Sequence, residues 1–187
     1  MRFLISVGSN LSKNTLTPKD HLNYACKLLG NAFGHPKISR TFANPAYPAG
    51  SGPDFVNAAF QVEAQIPPAE MLDFLHSVEV VMGRERKVRW GPRIIDLDLL
   101  AADDLVLPDS DTYAHWRDLS ADDQLDNAPK NLILPHPRLQ DRAFVLLPLC
   151  DIAPDWCHPV SGLSVRQMCK QLAPAAVSAC KVISQDK

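Results

Sequence analysis

The chain has 187 residues, 46% of them hydrophobic and 21% charged, with a formal net charge of −2. That is enough for one domain with a substantial core, and it excludes a polybasic nucleic-acid coat or membrane anchor. No apolar run approaches the ~18 residues of a membrane span, and that of MRFLISVGSN is too short for a signal peptide, so a cytoplasmic setting is expected.

Residues 2–7 (RFLISV) read as a buried strand broken at Gly8. Thr17 then Pro18 reads as an N-cap and a first helical residue, and Leu22, Cys26 and Leu29 recur at helical spacing before Gly30. The spacing predicts a helix over 18–29. Segment 54–66 alternates, with Val56, Ala58, Phe60, Val62, Ala64 and Ile66 facing one way. Phe55, Asn57, Ala59, Gln61 and Glu63 face the other, which predicts a half-buried strand. A second helix opens after Pro67-Pro68 and carries Leu72, Leu75, Val78 and Met82 as its apolar stripe before Gly83.

Residues 94–101 predict another strand, 142–151 a short buried helix, and 163–181 further helix. Between them, 103–130 reads as an insertion, turn-rich and acidic, with Tyr113, Trp116 and Leu119 spaced for one helical turn. Loosely alternating strands and helices with Pro-rich connections predict an α/β or α+β sandwich rather than a bundle. The whole of 1–187 reads as a single domain, with a C-terminal helical extension over 166–187. The five cysteines form no C-x-x-C pair and are odd in number, the pattern of reduced structural thiols rather than zinc ligands.

The chemistry concentrates in GRERKVRWGPRIIDLDLL, residues 83–100, where the segment 84–93 carries a net charge of +4. On a strand, Ile95, Leu97 and Leu99 share one face while Asp96 and Asp98 share the other. Two carboxylates so placed repel unless a cation lies between them, and Mg²⁺ is typically held by one or two carboxylates plus substrate phosphates. A D-x-D pair alone also occurs on plain surfaces. Here Arg84, Arg86, Lys87, Arg89 and Arg93 precede it in a loop, where guanidinium forks match phosphate oxygens. Metal-dependent phosphoryl or nucleotidyl transfer is therefore the leading class. Neither a Walker loop nor a dinucleotide G-x-G-x-x-G is present. Phe55 and Asn57, side by side on the polar face of their strand, could stack on a flat heterocycle and bond its edge. His136, Arg138, Arg142 and Phe144 gather near a loop-to-helix junction, where the His becomes a phosphate-ligand candidate.

GSNL, PDFVNAAFQVEA, GRERKVRWGPRIIDLDLL and LPHPRLQDRAFVLLPLCDIAP, in this order, resemble the 6-hydroxymethyl-7,8-dihydropterin pyrophosphokinase family of folate biosynthesis. The resemblance implies a ferredoxin-like α/β sandwich with an antiparallel-rich sheet and long ordered loops. It implies a monomer that moves the β,γ-pyrophosphoryl group of ATP to the pterin hydroxymethyl oxygen, releasing AMP. It places two Mg²⁺ ions at Asp96 and Asp98, and transfer-assisting arginines at Arg84 and Arg93. It puts ATP against Glu79, Arg86, Lys87, Trp90, His136 and Arg142. It puts the pterin between Phe55 and Phe144, with Asn57 and Asn44 at its edge. Many members carry Thr where this chain has Asn44, and Gln where it has His76. The 103–130 segment is longer than in compact members. Rival readings are another Mg²⁺-dependent phosphotransferase, or a ferredoxin-like RNA-binding module, for which the paired aspartates have no use and the usual aromatic RNP pattern is missing.

Overall fold

The computed structural model describes residues 1–46, 50, 52–84, 93–120, 123, 127 and 129–183. The first strand, β1 (Arg2–Ser9), is buried from Phe3 onward. Helix α1 (Pro18–Phe33) follows, its start fixed by a capping box between Thr17 and Asp20. It runs one turn beyond the expected stop at Gly30. Gly34, at φ 83°, is the residue that leaves helical geometry, and its N–H closes the last turn on the Gly30 carbonyl at 3.0 Å.

Two short strands absent from the sequence reading, β2 (Lys37–Ile38) and β3 (Phe42–Asn44), both pair with the long strand β4 (Phe55–Glu63). Ser39 bridges the gap between them, its N–H donating to the Ala59 carbonyl and its Oγ accepting from the Ala59 N–H. Helix α2 (Pro68–Val81) buries Leu75 and Val78, with Met82 just beyond it, as expected, but the stripe begins at Met71 and leaves Leu72 only half-buried. Strand β5 (Asp96–Ala102) completes a β-α-β-β-α-β unit in which β2 and β3, paired along the same edge of β4, together take the place of one strand. Helix α3 (Ser110–Asp118), capped by Asp109, is longer than the single turn expected in the acidic insertion. Its Tyr113 is fully buried and bonds His158 at 3.0 Å.

A 3₁₀ turn (Leu139–Asp141) leads into α4 (Ala143–Ile152), followed by α5 (Val165–Gln171) and α6 (Pro174–Ala179). The C-terminal extension carries the expected helices, α5 and α6, and after them a strand the sequence does not announce, β6 (Lys181–Val182), on the β3 edge.

The sheet order is β5-β1-β4-β3-β6, with β2 also on β4, and each pairing is antiparallel. This is the expected ferredoxin-like arrangement. Alternation along the strands makes two cores. Phe3, Ile5, Val7, Phe60, Leu97 and Leu99 meet α1 and α2 on one face. Leu4, Ala59, Leu100 and Ala101 meet α4 and α5 on the other. Consecutive Leu100 and Ala101 reach the same core because a register shift at Leu4/Ile5 inserts an extra residue in β5. Among the described residues no helix is long and apolar enough to cross a membrane.

Candidate active site

The second face of the sheet is covered by α4 and α5 only in part, and beyond them the strands carry polar side chains. Register places Asp96 opposite Gly8 and Gly8 opposite Asn57; one pair along, Asp98 faces Ser6 and Ser6 faces Ala59. Paired residues share a face, so Asp96 and Asp98 stand two strand spacings, about 10 Å, from Asn57 and Ala59. The floor between them is made of small residues. A Cβ on Gly8 would lie 2.8 Å from Asn57 Oδ1, so only glycine lets the Asn57 amide lie across β1.

On the aromatic side, β3 places Asn44 opposite Phe55. Asn57 Nδ2 donates to Asn44 Oδ1, and Asn44 Nδ2 donates to the Pro45 carbonyl at 2.9 Å. Asn44, Phe55 and Asn57 are thus one cluster, with Asn57 only 4% exposed. Phe144 comes from α4, which packs against β4, and its ring lies 5.8 Å from the Arg142 guanidinium.

On the acidic side, Arg84 donates to Asp96 at 2.7 Å and, through its other terminal nitrogen, to Glu79. Arg93 donates to the second oxygen of Asp96. Burial raises the Asp96 pKa, and the Asp98 charge raises it further, against the pull of Arg93 and Arg84. A pair in that condition is one that a divalent cation would relieve. Among the described residues no three His, Cys, Asp or Glu side chains converge on one point. A metal ion at Asp96 and Asp98 would therefore take its other oxygen ligands from substrate and water, as Mg²⁺ commonly does.

Glu79, placed at the ATP site by resemblance, is 2% exposed. Its carboxylate accepts from Arg84 and, at 2.8 Å, from the Leu97 N–H. Burial raises its pKa, opposed by the Leu97 N–H and Arg84. Those contacts let Glu79 shape the site through Arg84 and through the strand bearing the aspartates.

His136 is tied beside β5 by its N–H to the Leu100 carbonyl at 2.8 Å. Its Nδ1 accepts from the Arg138 N–H at 3.1 Å, which assigns the ring proton to Nε2. Burial, then the charges of Arg142 and Arg138, push its pKa down to about 3, so the ring is a neutral donor at pH 7. Burial also lowers the Arg142 pKa, and the Asp98 charge is the chief opposing influence. His136 and Arg142 therefore belong to the carboxylate side of the site, a proximity that their sequence separation from Asp98 does not reveal. Arg86, Lys87 and Trp90 lie outside the described residues.

Sequence reasoning reads Gly8 only as the break of the first strand, whereas it lies inside β1 and is paired on both sides, and it does not single out Asn10, although both fall in the GSNL motif. A separate cavity of about 670 Å³ opens at the opposite end of the strands, lined by Arg2, Lys37, Gln61, Asp103 and Trp156 among others, and none of the candidate site residues borders it.

A ferredoxin-like fold with paired carboxylates and arginines at one side of an open sheet face, and an amide-aromatic cluster at the other, defines a class of ferredoxin-like proteins with one charged and one aromatic side to the same face. Within that class the chain belongs to the 7,8-dihydro-6-hydroxymethylpterin-pyrophosphokinase (HPPK) family, whose profile matches residues 4–154. It is 36% identical over 139 residues to the 2-amino-4-hydroxy-6-hydroxymethyldihydropteridine pyrophosphokinase of Synechocystis, covering 74% of this chain and 58% of that protein. The enzyme of the same name from Haemophilus influenzae is 30% identical over 171 residues, covering 90% of this chain and 91% of that one. A crystal structure of a Plasmodium falciparum HPPK-DHPS triple mutant with pteroate superposes with a TM-score of 0.66 at 15% identity, covering 98% of this chain and 47% of that one, a likeness of fold.

Proposed function

We propose that the protein transfers the β,γ-pyrophosphoryl group of ATP to the hydroxymethyl oxygen of 6-hydroxymethyl-7,8-dihydropterin, a step of folate biosynthesis. The observation that carries this reading is the Asp96–Gly8–Asn57 row, which puts the carboxylates and the amide-aromatic cluster on one face of the sheet and so supports a phosphate donor beside a flat ring. Family membership and the names of the relatives point the same way.

In this reading Asp96 and Asp98 hold two Mg²⁺ ions, which neutralise triphosphate charge when bound. His136 donates from Nε2 to a phosphate oxygen, and Arg142 pairs with phosphate beside it. Arg86, Lys87 and Trp90 close over ATP, and Glu79 steadies Arg84. Phe55 and Phe144 sandwich the pterin while Asn57 and Asn44 bond its edge. The pterin hydroxyl oxygen attacks the β-phosphorus, the bond between that phosphorus and the α-phosphate oxygen breaks, and AMP leaves; the hydroxyl proton passes to solvent. Arg84 and Arg93 stabilise the charge spread over the transferring group. The reading extends to a cytoplasmic monomer without nucleic-acid or membrane partners.

The test is incubation with Mg-ATP and the pterin, with the nucleotide product identified. Pterin-dependent AMP is expected. ADP would place the protein among other phosphotransferases, and the absence of turnover would overturn the reading.

A further inference from the structure

Asn10 follows β1 directly and is 3% exposed. Its side-chain amide uses both ends on different parts of the chain. Oδ1 accepts from the Arg93 N–H at 2.7 Å, and Nδ2 donates to the Pro53 carbonyl at 3.1 Å. Its own N–H donates to the Arg93 carbonyl at 3.0 Å, and the Leu11 N–H reaches the same oxygen at 3.2 Å. The backbone of Arg93 is thereby held on both its N–H and its C=O. Pro53 belongs to the segment that leads into Phe55 and Asn57, and Arg93 to the segment that leads into Asp96.

We infer that Asn10 is a positioning residue for pyrophosphoryl transfer, joining the segment that delivers Arg93 to the segment that delivers the ring-reading cluster. No local backbone role accounts for it. The cap of α1 is Thr17, and Asn10 is not among the residues with positive φ. What its amide does is join two remote segments whose side chains serve opposite ends of the site. A misplaced catalytic group of about 1 Å can cost ~10²-fold in rate, so releasing the Arg93 backbone falls on the transfer step. The inference rests on the proposed function.

The experiment measures single-turnover transfer and the KM for each substrate in wild type, Asn10→Ala, Arg93→Ala and the double variant, with thermal melts as a check on folding. Asn10→Ala is expected to slow transfer about tenfold to a hundredfold. Added to Arg93→Ala, it should cause no further loss of transfer rate, because its effect on that rate runs through Arg93, while the pterin KM rises through the lost Pro53 bond. Multiplying losses, or an Asn10→Ala variant with the wild-type rate, would overturn the inference. Should the alanine variant not fold, Asn10→Asp carries the test. It keeps an acceptor for the Arg93 N–H and removes the donor to Pro53. It should raise the pterin KM while leaving the transfer rate within about threefold, and a slowed rate with unchanged KM would overturn the inference. Hydrogen exchange separates the two ideas: Asn10→Ala should deprotect the Arg93 amide whether or not the wild type turns over. A protected amide sinks the positioning role, whereas an inactive wild type sinks only the function.

Discussion

Replacing Gly8 with alanine perturbs the floor of the site by a single methyl group. Gly8 has no positive φ, so alanine fits its backbone and the cost is steric alone. The new Cβ would stand 2.8 Å from Asn57 Oδ1, where ordinary contact begins at 3.4 Å, so the amide must retreat by about 0.6 Å. It has little room, being 4% exposed and bonded to Asn44. Overpacking of this kind costs about 1–3 kcal/mol, and in a domain of this size each kcal/mol lowers Tm by about 2–4 °C. If Asn57 reads the pterin edge, loss of one well-aimed hydrogen bond raises the pterin KM about tenfold, with the ATP KM little changed. Differential scanning calorimetry and steady-state AMP release measure both effects. Adding Gly8→Ala to Asn57→Ala removes the clashing oxygen, so the second substitution should then be nearly silent. An unchanged Tm and pterin KM in Gly8→Ala, or equal losses in both backgrounds, would refute the steric reasoning.

Asp96→Asn and Asp98→Asn should each reduce AMP formation by about a hundredfold or more, and normal turnover of both across a Mg²⁺ titration would remove the metal assignment. The depressed pKa of His136 sets a pH dependence of stability: the unfolded chain takes up a proton near pH 6.5 while the folded ring resists until about 3. Stability is therefore full above about pH 6.5 and falls as the pH drops towards 3, by about 1–2 kcal/mol at pH 5. Urea melts of wild type and His136→Gln at pH 7 and pH 5 check this, and the variant should lose less. Tyr113→Phe leaves the His158 Nε2–H without its acceptor, because Nδ1 already accepts from the Val160 and Ser161 N–H groups. It should cost about 1–3 kcal/mol in a melt without altering kcat/KM, so a catalytic effect would reveal a closer link between α3 and the site.

The alternation of Ile95, Asp96, Leu97, Asp98 and Leu99, and that of Phe55 to Val62, is legible in the amino-acid sequence alone, as are the N-cap at Thr17 and the helices after Thr17 and Pro67. These are local patterns. A side chain's face follows from its parity or helical phase, and apolar periodicity states which face is buried. The four motifs are also enough for the resemblance. Other features need tertiary structure: Gly8 lying between Asp96 and Asn57, Glu79 buried beneath Arg84, Asn10 holding Arg93 and Pro53, and β6 closing on β3. Most of these join segments far apart in the chain. Strand register is set by the packing of whole faces and not by either strand alone, and a buried carboxylate such as Glu79 becomes acceptable only once an arginine and a distant backbone N–H reach it.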